Sequence, residues 1–237
     1  MRLLPIGLRG PRLEGMGGSK SRERDNDDLV DEVARYCLGR FGASPRSLRI
    51  LEAMREIDRA LFLPPGSRAY AYRDEPESIG EGQTCSQPSM VAVMLEALDP
   101  LPGCGILEVG SGCGYVAALL ARLVGPDGSV HAAEIVPSLA ALGRTNLASL
   151  ADRVCFIVGD GSAGFPEAAP FDRILVSAGV RLGAFHEEIL VRQLSPEGIL
   201  VYPERRGQLY RVYRRGDELV REEWGLVAFV PLVGRNA

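Results

Sequence analysis

Residues Leu107 to Tyr115 read Leu-Glu-Val-Gly-Ser-Gly-Cys-Gly-Tyr, an apolar strand pattern running through three alternate glycines into an apolar helix. Gly110, Gly112 and Gly114 carry no Cβ where the backbone must bend, so neighbouring chain or a ligand can approach closely. The helix that follows offers unpaired N–H groups at its first turn. A turn of this kind restricts the chain to an α/β fold with a nucleotide-type cradle. The dinucleotide fingerprint needs a glycine where this chain has Tyr115. The spacing therefore points to S-adenosylmethionine.

Two acids extend the reading. Gly128 to Glu134 is a short strand ending in a carboxylate about 20 residues beyond the glycine turn, where doubly wound folds place a ribose-hydroxyl acceptor. Val154 to Asp160 is a third apolar run ending in Gly-Asp-Gly. There Asp160 is placed to accept from an adenine amino group, with the Gly161 N–H facing a ring nitrogen. Either acid alone is as well explained as a helix cap or a loop solubiliser. Successive strand ends in a parallel sheet converge on one crevice, which places all three features in one site. Ser111 in the turn and Ile135 after Glu134 complete the expected cofactor set. Glu108, beside the turn, is expected either to hold the cofactor's ammonium through water or to be a buried acid in need of a partner.

The chain has 237 residues, 46% hydrophobic and 24% charged, with a net charge of −4. That suits one domain with an ample core, and it presents no overall positive field to a nucleic-acid backbone. Cys37, Cys85, Cys104, Cys113 and Cys155 include no Cys-x-x-Cys pair. Their odd number and apolar settings suit reduced, buried thiols in the cytoplasm. No apolar run approaches the ~18 residues of a membrane span. Neither a nucleic-acid nor a membrane partner is expected, nor a metal, and the chain is read as a monomer.

Residues 1–28, with arginines and a lysine among glycines, read as a flexible leader, and residues 29–237 as a single domain. Within it, residues 29–104 form a helical and substrate-covering segment and 105–237 the cofactor-binding core. Leu29 to Phe41 and Leu48 to Leu61 have helical spacing, and Ser89 to Leu98 forms a third helix. Residues 66–82 show little periodicity. From Gly105 the pattern predicts strands near 105–109, 129–134, 154–159 and 172–177, and helices near 114–124, 137–149 and 184–194. A hairpin of 198–203 with 209–213 and a last strand near 224–230 follow. The fold class is a Rossmann-like, doubly wound, mostly parallel seven-stranded sheet with an N-terminal helical cap.

Gln83-Thr84-Cys85-Ser86-Gln87-Pro88, the Leu107–Tyr115 turn, Gly159-Asp160-Gly161-Ser162, Ala169 to Ile174 and Val230-Pro231-Leu232 together resemble the protein-L-isoaspartate O-methyltransferases over about residues 45 to 234. The resemblance implies methyl transfer from S-adenosylmethionine to the α-carboxylate of an isoaspartyl residue in a damaged protein or peptide. The ester then cyclises to a succinimide and reopens partly as aspartate. It also implies that Thr84 and Ser86 lie over the cofactor as the catalytic hydroxyls, with Gln83, Ser86, Ala178 and Val230 against the substrate. The chain departs from the family pattern at Ser177–Arg181, usually an alanine-rich turn with proline. It departs again at Pro203-Glu204-Arg205-Arg206-Gly207, usually Pro-Val-Gly, where Arg205 and Arg206 either bind acidic substrates at a rim that touches peptide or form a solvated hairpin tip.

A carboxylate nucleophile is ionised at neutral pH, so no side chain need remove a proton. This fits a chain whose two histidines, His131 in a strand and His186 on a helix, have structural settings. The reaction needs the carboxylate held in line with the methyl group and partly stripped of water, work for hydroxyl donors. Ser86 has a competing reading as the N-cap of the helix after Pro88. Other readings are methylation of an ordinary aspartate in a dedicated peptide and a cofactor-binding module without turnover.

Overall fold

The computed structural model describes residues 23–215 and 218–237. The leader expected over residues 1–28 lies outside the described residues as far as residue 22. Its last residues already build structure, a correction to the expected boundary. Helix α1 (Asn26–Phe41) starts at Asn26 because Asp25 and Asp28 form a reciprocal capping box, with Leu29 and Val30 buried behind it. Helix α2 (Pro45–Glu56), capped by Ser44, leads into two short 3₁₀ turns, Arg59–Phe62 and Pro65–Tyr70.

A small antiparallel hairpin follows, β1 (Glu77–Gly80) with β2 (Gln83–Cys85), in a stretch where the sequence predicts no element at its start. Helix α3 (Pro88–Leu98) precedes the alternating core. The core comprises β3 (Gly105–Val109), α4 (Tyr115–Val124), β4 (Ser129–Glu134), α5 (Pro137–Asn146), β5 (Val154–Val158) and β6 (Phe171–Val176). It continues with α6 (Glu187–Val191), β7 (Leu194–Pro203), β8 (Arg206–Arg215) and β9 (Glu218–Ala228).

The seven strands order as β5-β4-β3-β6-β7-β8-β9. β5 to β7 are mutually parallel, and β8 and β9 are added antiparallel. The chain winds outward from β3 to β5, then returns to lay β6 on the other side of β3. That reversal is the switch point at which such sheets open a crevice beyond their strand ends. Alternate side chains separate two cores. Ile106, Leu175, Ile199 and Val201 pack in one cluster with residues of α1 to α5. Leu107, Val109, Ile174, Val176, Leu200 and Tyr202 face the other way, against Phe185, Leu190 and Val191. Every residue of α4 except Arg122 is buried, as its apolar sequence requires.

Three expectations are corrected. The helix predicted over 184–194 is only Glu187–Val191, because Phe171 N–H donates to Gln193 C=O at 2.8 Å and Leu194 already pairs with Phe171 in the sheet. His186 accordingly stands at the N-cap, ahead of the helix. Cys155 is exposed rather than buried, whereas the other four thiols are buried; all five are free. Strand β9 starts at Glu218 rather than near Trp224 and carries an irregularity opposite Gln208–Tyr210.

Candidate active site

Four strand ends, not three, meet at the switch point. A cleft of about 520 Å³, its open mouth included, is lined by Gly110 and Gly112 after β3, Glu134 and Ile135 at β4, Gly159 and Gly161 after β5, and Ser177 and Ala178 after β6. Ile79, Gln83 and Thr84 of the hairpin close one side, and Val230 to Val233 the other. Gly110 and Gly112 have φ of 83° and 52°, the left-handed region that side chains avoid. A Cβ on Gly112 would lie 3.0 Å from Ile79 Cδ1, so the hairpin rests directly on the turn. Gly114 serves packing instead: it lies outside the cleft, and a Cβ there would meet Leu147 at 2.8 Å.

The backbone donors of the turn are largely committed, contrary to the expectation of free N–H groups. Gly110 N and Ser111 N donate to Ala133 C=O at 2.9 and 3.0 Å, and Gly114 N donates to Ser111 C=O at 2.8 Å. Gly112 N donates to Glu134 Oε2 at 2.8 Å, while Val136 N donates to Oε1 at 2.8 Å. Glu134 is thereby fixed at the cleft wall and holds the start of α5, so the capping reading of this strand-ending acid is realised. The turn offers a ligand closeness, and Glu134 offers it remaining acceptor capacity.

Glu108 is fully buried; its Oε1 accepts from Ser177 Oγ at 2.7 Å, and its Oε2 has no partner. Burial, reinforced by nearby Glu134, pushes its carboxyl up to about 8 against the pull of the Ser177 hydrogen bond. The Ser111 hydroxyl is likewise buried without a partner. Asp160 departs from expectation. It does not line the cleft although both its glycine neighbours do, and its carboxylate accepts from Ser162 N at 2.9 Å and Arg235 N at 2.8 Å. Burial raises this carboxyl, but the Ser162 and Arg235 hydrogen bonds outweigh it and hold the group below its usual range. The C-terminal segment is thus tied to the third strand end, a tie completed by buried Asn236 on Ser162 and His186.

A second, open groove of about 1050 Å³, mouth included, runs outside the first between Thr84, Ser86, Gln87, Met90 and residues 226–230. Thr84 and Val230 border both spaces, and Ser86 faces only the outer one. The capping alternative for Ser86 is not realised: Asp74 Oδ1 accepts from Ser89 N at 2.8 Å, and its Oδ2 from Gln87 Nε2 at 3.2 Å. The hydroxyls of Thr84 and Ser86 make no hydrogen bond within the described residues.

Sequence reasoning missed the support beneath them. Arg59 is fully buried, and its guanidinium donates to the carbonyls of Ala71, Arg73, Glu75, Cys85 and Ser86 at 2.8 to 3.3 Å. Nothing in a lone arginine before an apolar run signals this. The Gly80-Glu81-Gly82 turn of the missed hairpin was the readable sign, with all three residues at positive φ. Cys113 hydrogen-bonds Cys85, lowering the Cys85 thiol and raising its own. His131 is lowered by burial, packs between Phe165 and Phe171, and lies away from both spaces. His186 is exposed beside Glu188. No group of three or more His, Cys, Asp or Glu able to hold a metal is present among the described residues. None of their helices is long and apolar enough to cross a membrane.

A switch-point cleft closed over a glycine turn, with an acid at the next strand end and unpartnered polar atoms behind it, defines a Rossmann-like S-adenosylmethionine-dependent methyltransferase. Residues 31–237 match the profile of the protein-L-isoaspartate(D-aspartate) O-methyltransferases. The protein-L-isoaspartate O-methyltransferase of Methanopyrus kandleri is 47% identical over 197 residues, 81% of this chain and 86% of that one. The protein of the same description from Methylorubrum extorquens is 47% identical over 192 residues, 79% of this chain and 82% of that one. A solved protein-L-isoaspartate O-methyltransferase superposes with a TM-score of 0.74 at 28% identity, covering 87% of this chain and 67% of its own. The chain belongs to the protein-L-isoaspartate(D-aspartate) O-methyltransferase family.

Proposed function

We propose that this chain transfers the methyl group of S-adenosylmethionine to the α-carboxylate of L-isoaspartyl residues in proteins and peptides, the first step of repair through a succinimide. The observation that carries the reading is the common wall of the two spaces: Thr84 and Val230 border both the inner cleft and the outer groove. A nucleoside-sized ligand inside and a peptide outside would meet there. Bound S-adenosylmethionine supplies an electrophilic methyl group.

The chain's own residues supply position. Glu134 accepts the ribose hydroxyls, Gly110, Ser111 and Gly112 admit the ligand's close passage, and Gly161 addresses the adenine from the third strand end, in a loop that Asp160 holds through Ser162 and Arg235. Gly114 sets the start of α4, and Ile135 lines the cleft. Ser177, which lines the cleft, and through it the buried Glu108 address the cofactor's ammonium end in this reading. Outside, the unengaged hydroxyls of Ser86 and Thr84 orient the carboxylate and replace part of its water, beside Val230, while Gln83 and Ala178, which line only the inner cleft, reach the substrate no further than the shared wall. No base is invoked, since the nucleophile is already ionised at neutral pH. Residues 29–104 act as the cover over a core of 105–237, and the free cysteines suit a cytoplasmic setting.

The test is incubation with labelled S-adenosylmethionine and paired peptides differing only in isoaspartate or aspartate, scored by base-labile methanol release. Label on isoaspartate alone supports the proposal. Label on aspartate alone replaces it with a dedicated-peptide methyltransferase, and no label with intact cofactor binding reduces the chain to a binding module.

A further inference from the structure

Beyond the outer groove lies a third recess, lined by Val180, Arg181, Leu182, Glu204, Arg205 and Arg206. All three arginines are exposed, and none has an ion pair or side-chain hydrogen bond within the described residues. Many other arginines are engaged: Arg46 with Asp99, Arg122 with Glu56, Arg211 with Glu222. The one acid of the recess is already occupied. Glu204 folds back over Gly207, where its Oε2 lies 1.4 Å from the site a Cβ would take, and accepts from Gln208 N at 2.9 Å and Tyr210 Oη at 3.4 Å. Three unpaired guanidinium groups therefore stand together on a chain whose net charge is −4.

The recess is joined to the outer groove by backbone. Phe229 N donates to Arg205 C=O at 3.0 Å, Arg205 N to Val180 C=O at 2.8 Å, and Gly179 N to Val230 C=O at 2.7 Å. Phe229 and Val230 are groove residues, so an extended peptide leaving the groove on this side, advancing roughly 3.3 Å per residue, passes the arginines within a few positions. Planar guanidinium forks bind carboxylates in paired hydrogen bonds. We propose that Arg181, Arg205 and Arg206 form a recognition pocket for an acidic side chain flanking the residue to be methylated, so that isoaspartyl sites in acidic stretches are preferred. The proposal rests on the repair reading and adds its substrate selectivity.

The test uses isoaspartyl peptides of equal length with neutral, acidic or basic flanks. Turnover is measured for the wild type and for the R205E/R206E and R181E variants, and peptide binding separately by fluorescence anisotropy with S-adenosylhomocysteine present. The expected result is a KM for the acidic peptide about tenfold higher in the double variant, of the size of one lost charge-assisted contact. The neutral peptide's KM and the kcat for both should stay within about twofold, and the wild-type preference should fade with salt. A wild type indifferent to flanking charge, or variants that alter neutral and acidic peptides equally, overturns the pocket. So does single-stranded RNA that displaces the acidic peptide from the wild type and binds less well to the double variant. Acid-selective binding without methylation of any isoaspartyl peptide would leave the pocket standing and remove the repair reading alone.

Discussion

Arg59 holds a full positive charge where no solvent reaches, and it is tolerable there only because five main-chain carbonyls share it. Those carbonyls include Cys85 and Ser86, so the reactive stretch is anchored from below while its hydroxyls stay unengaged. Ser86→Ala should then cut kcat roughly 10- to 100-fold, the scale of one hydrogen bond to a charged group, with cofactor affinity and melting temperature unchanged. A drop in melting temperature alone would return Ser86 to a structural role. Glu134→Ala should weaken cofactor binding by roughly 1–3 kcal/mol, read by calorimetric titration, and Asp160→Ala, whose carboxylate is held by Ser162 and Arg235 outside the cleft, should weaken it less; wild-type affinity in the Glu134 variant would remove the assignment. Glu108 gives a pH signature. Its folded value of about 8 lies above the ordinary 4.5, so the folded state keeps a proton that the unfolded chain gives up. Its stabilising contribution is complete below 4.5 and is lost as pH rises through 8. Glu108→Gln should therefore melt progressively higher than wild type between pH 5 and pH 9; a constant gap would refute this. At this scale the glycines and Glu134 were legible because their spacing follows backbone geometry. Arg59 and the engagement of Asp160 by Arg235 were not, since both depend on partners distant in sequence.

Among the elements, the regular core was the readable part. β3, β4, α4 and α3 fall within a residue of their predicted bounds because burial on both sides of a parallel sheet imposes unbroken apolar runs. The helix before β7 was overpredicted because local helical propensity lost to sheet pairing at Leu194. The β1–β2 hairpin was missed because its strands of four and three residues are too short to display a period. Helix α3 owes its start to Asp74, fifteen residues away from the N–H it caps. Asp74→Ala should cost about 1 kcal/mol of stability, the usual value of a lost cap, measured by denaturant unfolding. It should also raise KM for peptide more than for cofactor, because Gln87, which lines the outer groove, loses its partner too.

For the molecule as a whole, strand alternation announced the doubly wound sheet and the convergence of its loops. It did not announce that two segments distant in sequence, the hairpin at 77–85 and the segment at 230–233, would close the cleft from opposite sides. Such closure is a property of the assembled sheet, in which β9 delivers Val230 beside Gly179, and no local pattern encodes it.

The partition formed by Thr84 and Val230 has a practical corollary. In the proposed transfer the methyl group passes where these two residues border both spaces, so their bulk bears on the size of the group delivered to the acceptor. Val230→Ala should widen that passage, so allyl- or propargyl-bearing sulfonium donors, scored by mass spectrometry of the peptide ester, should gain at least severalfold relative to the natural donor. Unaltered donor selectivity would place the size filter elsewhere.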